Sequence, residues 1–93
     1  MYKNGGQVGG VEPALEFDSI NLHFRNILDN NEINLDLDRN STVLQIKNIL
    51  IDHFQVPVAN IRLVYAGAQI PNNTRLNYIE GIEDNDVIGV IVN

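Results

Sequence analysis

The sequence predicts an α+β fold in which one helix packs across a mixed sheet, with the elements in the order ββαββ. Two segments, at positions 20–25 and 33–38, alternate apolar with polar residues. A segment with helical spacing follows at 41–54, and two further apolar strands follow at 62–65 and 87–93. Because each element has an apolar side, we expect the helix and the sheet to bury those sides against each other.

A change of pattern at about residue 18 divides the chain. Residues 1–18 combine glycine pairs with isolated apolar residues and have no sustained period, so burial would not offset the entropy lost on ordering them. We therefore expect residues 1–18 to form a flexible N-terminal tail or linker, and residues 19–93 to form the folded domain. A chain of 93 residues has room for one small core.

The first two strands are predicted to form a hairpin. Its inward apolar positions are Ile20, Leu22, Phe24, Ile33, Leu35 and Leu37, each separated from the next on its strand by a polar residue. Between the strands, Asp29, Asn30 and Asn31 tolerate the left-handed backbone conformation that a hairpin loop requires.

The helix has its own start and stop signals. Thr42 followed by Gln45 fits a capping box, and Pro57 disfavours helical geometry in the residue before it. The apolar residues that recur on one helical face are Val43, Ile46 and Leu50. These signals predict a helix of about three turns.

The last two strands carry apolar residues on both faces. The strand "RLVY" points Leu63 inward and Val64 outward, and after a turn-rich crossing and a short helical turn the final strand points Val87, Gly89 and Ile91 outward. Ile27 and Leu28 add apolar side chains at the tip of the first hairpin. If the first and last strands are neighbours at the centre of the sheet, these residues converge on one surface. Two interpretations of that surface are open: a docking patch, or apolar residues scattered as on any protein surface.

Composition excludes several classes of function. There is no cysteine, so neither a disulfide nor a thiolate metal site is available, and no acidic cluster stands at ligand spacing from His23 or His53. We expect no metal and no cofactor. A net charge of −6 with only six scattered basic residues argues against nucleic acid. No long apolar stretch or signal peptide is present, so we expect a protein of the cytoplasm or nucleus that does not bind membranes. We also expect a monomer.

The segment "RLVYAGAQI", preceded by "VPVANI" and "TVLQIKNIL" and followed by "TRLNYIEGIEDNDVI", resembles ubiquitin and the ubiquitin-like domains. The resemblance covers Ile20 to Asn93. The residues that carry it are Thr42, Lys47, Pro57, Arg62, Leu63, Ala66, Gly67, Gln69, Leu76, Ile82 and Ile88.

This resemblance implies a β-grasp fold, no catalytic activity and a hydrophobic recognition patch. The patch would comprise Ile27 or Leu28, Val64 and Ile91, with Gly89 beside them and Arg62, Gly67 and Gln69 at its margin. Val64 would then be the centre of a partner-binding surface. The implied partners are proteins with ubiquitin-binding elements: ubiquitin receptors, a proteasome subunit or an ATPase adaptor.

The sequence also departs from the family pattern. Ubiquitin and its conjugated relatives end in two glycines, whereas this sequence stops at "GVIVN". Ala68 and Gly89 stand where ubiquitin has basic residues, and the first hairpin loop is one residue longer, which leaves the choice between Ile27 and Leu28 open.

We therefore expect a non-conjugated interaction domain. The alternative is a precursor or fragment of a modifier that acts by covalent attachment. An enzyme is a distant third interpretation. With no cysteine, the only nucleophile and base pairs would combine Ser19 or Ser41 with a histidine, and the histidines lie in unrelated elements.

Overall fold

The computed structural model of the protein describes residues 18–93. The predicted tail of residues 1–18 therefore lies, except for its last residue, outside the described part of the chain. No helix within residues 18–93 is both long enough and apolar enough to cross a membrane.

Within residues 18–93, five strands and one α-helix form the fold. The strands are β1 (Ser19–Asn26), β2 (Glu32–Asp38), β3 (Ile61–Tyr65), β4 (Ala68–Gln69) and β5 (Asp86–Val92), and α1 spans Val43–Phe54. Short 3-10 turns cover Val58–Asn60, before β3, and Leu76–Tyr78, before β5. The predicted α+β class, the hairpin and the helix are confirmed.

The strands form one mixed sheet in the order β2-β1-β5-β3-β4. β1 pairs parallel with β5, and the other three pairings are antiparallel. The first and last strands are thus neighbours inside the sheet. This is the arrangement that the sequence analysis required for the outward apolar residues to lie on one surface. The order ββαββ is incomplete, because the sequence does not reveal β4. That strand has only two residues, both exposed, so it is too short to carry an alternating pattern.

The core lies between α1 and one face of the sheet. Phe24, Leu50, Leu63 and Ile88 are among its fully buried members. On β2, an edge strand, the predicted inward residues Ile33 and Leu35 are only half-buried and pack against the rim of the core.

The start of α1 has acceptors for all four of its first backbone N–H groups. The Val43 N–H donates to the Thr74 carbonyl oxygen at 2.9 Å, and the next one donates to the Asn72 carbonyl oxygen at 3.0 Å. The third and fourth donate to the hydroxyl and the carbonyl oxygen of Thr42, at 3.2 and 3.1 Å. The predicted capping box is confirmed, since the Gln45 side chain also accepts from the Thr42 N–H at 2.8 Å. At the other end, Gln55 closes the helix in the left-handed conformation.

Thr42→Ala is expected to lower the free energy of unfolding by about 0.5–2 kcal/mol, because it removes the hydroxyl that accepts the Gln45 N–H. Urea unfolding followed by circular dichroism measures the change. Thr42→Ser keeps the acceptor and is the matched control. Equal losses in both variants would mean that the threonine methyl group, and not the cap, stabilises the helix.

Candidate functional site

The outer face of the sheet, opposite α1, carries the predicted patch. On β5, Gly89 pairs with Arg25 of β1 on one side and with Val64 of β3 on the other. Val64 pairs in turn with Gln69 of β4. Since paired residues point to the same face of a sheet, these four positions form one row across four strands.

Ile27, in the loop after β1, lies over the middle of this row. A β-carbon placed on Gly89 would be 3.4 Å from the Ile27 Cγ2 and 3.9 Å from the Val64 Cβ. The Ile27 N–H donates to the Val90 carbonyl oxygen at 3.1 Å, which holds the loop against β5. Because Gly89 has no side chain, its backbone is the surface between the Ile27 and Val64 side chains.

Ile27 and Leu28, the two alternatives for the loop residue of the predicted patch, occupy different positions. Ile27 is the loop residue beside Gly89 and Val64, and it remains 54% exposed. Leu28 is 77% exposed, farther out in the loop, where its N–H donates to the Asn26 side-chain oxygen at 2.9 Å. Of the two, Ile27 belongs to the apolar group around Gly89.

Ile91 and Arg62 extend the surface beyond the central row. They are paired across β5 and β3, with Ile91 half-buried and Arg62 exposed. Val87, which the predicted site leaves out, faces the same side as Gly89 and is 42% exposed. The alternation along the last strand already pointed Val87 outward, so the signal for it was present. We use the name "the patch" for the surface formed by Ile27, Val64, Val87, Gly89 and Ile91.

Gly67 lies beside the patch in the turn between β3 and β4. Ala66 and Gly67 have φ values of 52° and 81°, and Tyr65 pairs with Ala68 on either side of them. Positive φ at both central residues of a two-residue hairpin loop is the signature of a type I′ turn. A β-carbon on Gly67 would meet nothing within 4 Å, so glycine is needed here for its backbone conformation and not for space.

Ala66→Asn is expected to raise the free energy of unfolding by about 0.5–1 kcal/mol, because asparagine tolerates the left-handed conformation that alanine disfavours. Chemical denaturation measures the gain. Ala68→Asn, an exposed position in the adjoining strand, is the matched control and should give no gain. An unchanged midpoint for Ala66→Asn would contradict the predicted relief of strain.

Two arginines flank the patch, but their charges are engaged differently. The Arg25 Nε donates to Glu32 at 2.9 Å, and the His23 Nδ1 lies 2.8 Å from the other oxygen of that carboxylate. The hydrogen bond from Arg25, followed by the one from His23, lowers the pKa of Glu32. By contrast, no carboxylate among residues 18–93 lies within 4 Å of the Arg62 guanidinium. Of the two flanking arginines, Arg62 is therefore the one whose charge has no carboxylate partner among residues 18–93.

This arrangement is suited to docking. It offers apolar side chains around a bare glycine backbone, with polar residues at the margin. Within residues 18–93 no cluster of three or more potential metal ligands is present.

Comparisons with known proteins agree with the fold. The model of the ubiquitin family matches residues 22–93. The UBL domain of Plasmodium falciparum Dsk2 is similar in structure, with a TM-score of 0.73 and 22% identity over 82% of this chain and 100% of that one. Caldiarchaeum subterraneum ubiquitin is also similar, with a TM-score of 0.75 and 18% identity over 82% of this chain and 95% of that one. No curated protein sequence matches the chain.

Proposed function

Because this chain belongs to the ubiquitin family, we propose that it is a non-catalytic interaction domain that docks onto other proteins through the patch. Its partners would be proteins with ubiquitin-binding elements, namely ubiquitin receptors, a proteasome subunit or an ATPase adaptor. It would act as a monomer in the cytoplasm or nucleus and bind neither nucleic acid nor membranes.

One observation carries the proposal. Ile27, Val64 and Ile91 come from a loop and two strands that are distant in sequence, yet all three lie around or next to Gly89 on the outer face. The core cannot account for them, since it is on the opposite face of the sheet. Apolar side chains gathered on a face that the fold leaves open are typical of interaction sites.

The margin of the patch suggests the character of the partner. Arg62 is exposed beside Ile91, whereas the Arg25 charge is already met by Glu32. A binding helix would therefore place apolar side chains over Val64 and an acidic side chain near Arg62. Complementary charges at a rim contribute to orientation and association rate more than to affinity.

Titrating the labelled protein with an amphipathic ubiquitin-binding helix, followed by amide chemical shifts, tests the proposal. We expect shifts to cluster at Ile27, at residues 62–69 and at residues 87–92. The same helix with its central apolar residue replaced by aspartate is the control and should produce none. Shifts that cluster on α1, or no shifts at all, would leave the family assignment intact and reject the patch as the docking site.

A further inference from the structure

A pocket separate from the patch lies at the side of the domain, between α1 and the segment around β3 and β4. It is a surface pocket of about 320 Å³. Lys47, Arg62, Gln69 and Asn72 supply its polar side chains, and Ile61 and Pro71 are among its apolar walls. The pocket does not contain Ile27, Val64 or Ile91, so it is distinct from the apolar centre of the patch.

Lys47 is the unusual member of this site. It is only 5% exposed, because it lies on the core-facing side of α1, between Ile46 and Leu50. Its Nζ donates to the Asn72 side-chain oxygen at 2.6 Å. An ammonium group has three N–H donors, and within residues 18–93 this is the one hydrogen bond that Nζ makes.

The charge of Lys47 has no counter-charge in the described part of the chain. No carboxylate there lies within 4 Å of Nζ, and its one partner is a neutral amide. Burial, and after it the positive charge of Arg62, lowers the pKa of Lys47. A buried cation without an anionic partner is costly in free energy, and a second cation nearby adds to the cost.

The distribution of charge in the pocket is opposite to that of the whole protein. The chain has twelve acidic and six basic residues, yet two basic residues and no acidic residue line the pocket. We propose that the Lys47–Arg62 pocket binds an oxyanion, the phosphate or carboxylate group of a ligand.

The donors present suit such a group. Within residues 18–93, two N–H donors of the Lys47 ammonium have no acceptor. The Arg62 guanidinium offers a planar pair of N–H donors, and the Gln69 side chain adds an amide N–H. Phosphate and carboxylate oxygens accept charge-assisted hydrogen bonds from these groups, and the bound negative charge would offset both cations. The inference does not depend on the proposed docking function, because it requires no partner protein.

Titrating the protein with sodium phosphate and, separately, with sodium acetate tests the inference. Ionic strength is held constant with sodium chloride at neutral pH, and side-chain and amide chemical shifts are followed. We expect saturable shifts at Lys47, Arg62, Gln69 and Asn72. A separate pH titration with and without the anion, followed by the side-chain carbon and nitrogen shifts of Lys47, should show a rise in its pKa. Saturation by either anion supports the proposal and identifies the preferred group; saturation by neither overturns it.

Two variants each remove one arginine charge, one inside the pocket and one outside it. Arg62→Gln, at an exposed position, should weaken anion binding about tenfold. Arg39→Gln removes a charge that is paired with Asp18 outside the pocket, and should leave the affinity unchanged. Equal loss in both would indicate adsorption governed by net charge and would overturn the site. Lys47→Met should abolish saturation, provided that its spectrum remains that of the folded domain.

Discussion

Leu63→Ala is expected to lower the free energy of unfolding by about 2–5 kcal/mol. Leu63 is fully buried on β3, where it belongs to the core beneath α1. Removing its isopropyl group leaves a cavity that the surrounding side chains, held by the sheet and the helix, fill only in part. Thermal unfolding should show the loss as a fall in Tm of at least about 8 °C, since roughly 4–8 °C corresponds to 1 kcal/mol in a domain of this size.

Val64→Ala is the matched control for this prediction. Val64 is the next residue on the same strand, but it is half-buried on the outer face. Its truncation leaves no closed cavity, so we expect a loss below about 0.5 kcal/mol, the lower end of the range for removing one buried methylene. Similar losses in the two variants would mean that β3 does not separate a core face from an open face.

Much of the fold could be predicted because its signals are local. The hairpin follows from strict alternation on two strands, and the loop residue Asn30 adopts the positive φ that its type permits. The helix follows from Thr42, Gln45 and the spacing of its apolar face. These features depend on residues a few positions apart, whose backbone preferences do not depend on distant contacts.

The elements that the sequence does not reveal depend on tertiary contacts. The two residues of β4 are a strand because the turn at Ala66 and Gly67 returns the chain alongside β3, and the Ile70 N–H then donates to the Leu63 carbonyl oxygen at 2.9 Å. No periodicity can appear in so short a segment. The 3-10 turn at Val58–Asn60 is equally short, and Pro57 before it is compatible with several loop geometries.

The patch could be predicted only in part. Alternation identified Val64 and Ile91 as outward, but their convergence required β3 and β5 to be neighbours, which is a property of strand order. The position of Ile27 over Gly89 depends on the conformation of a loop that adjoins β5.

Lys47 could not be recognised as buried. A lysine beside the apolar stripe of a helix usually extends its ammonium group into water. Here the segment that contains Asn72 packs against the start of α1, where its backbone carbonyl accepts the Leu44 N–H and its side chain accepts from Nζ. The burial of Lys47 is therefore a consequence of where a distant loop lies.

Val64→Ala and Ile91→Ala are each expected to weaken binding of a ubiquitin-binding helix by about 5- to 30-fold, which corresponds to roughly 1–2 kcal/mol. Both side chains are half-buried on the outer face, where Val64 pairs with Gly89 and Ile91 pairs with Arg62 across β3 and β5. Interfaces of this kind depend on a few apolar anchors, so truncating one removes a large share of a weak binding energy. Chemical-shift titration gives the affinities, and thermal melts of the same samples should give nearly unchanged Tm values.

Ile49→Ala provides the comparison that makes the result specific to the patch. Ile49 is an exposed apolar residue on α1, on the other side of the domain from the outer sheet face, so its truncation also removes exposed apolar surface. If docking occurs on the sheet, this variant should bind with the affinity of the unmodified protein. A loss as large as that of Val64→Ala would show that the helix face contributes equally. Full affinity in both Val64→Ala and Ile91→Ala would reject the patch, because neither anchor would then contact the partner.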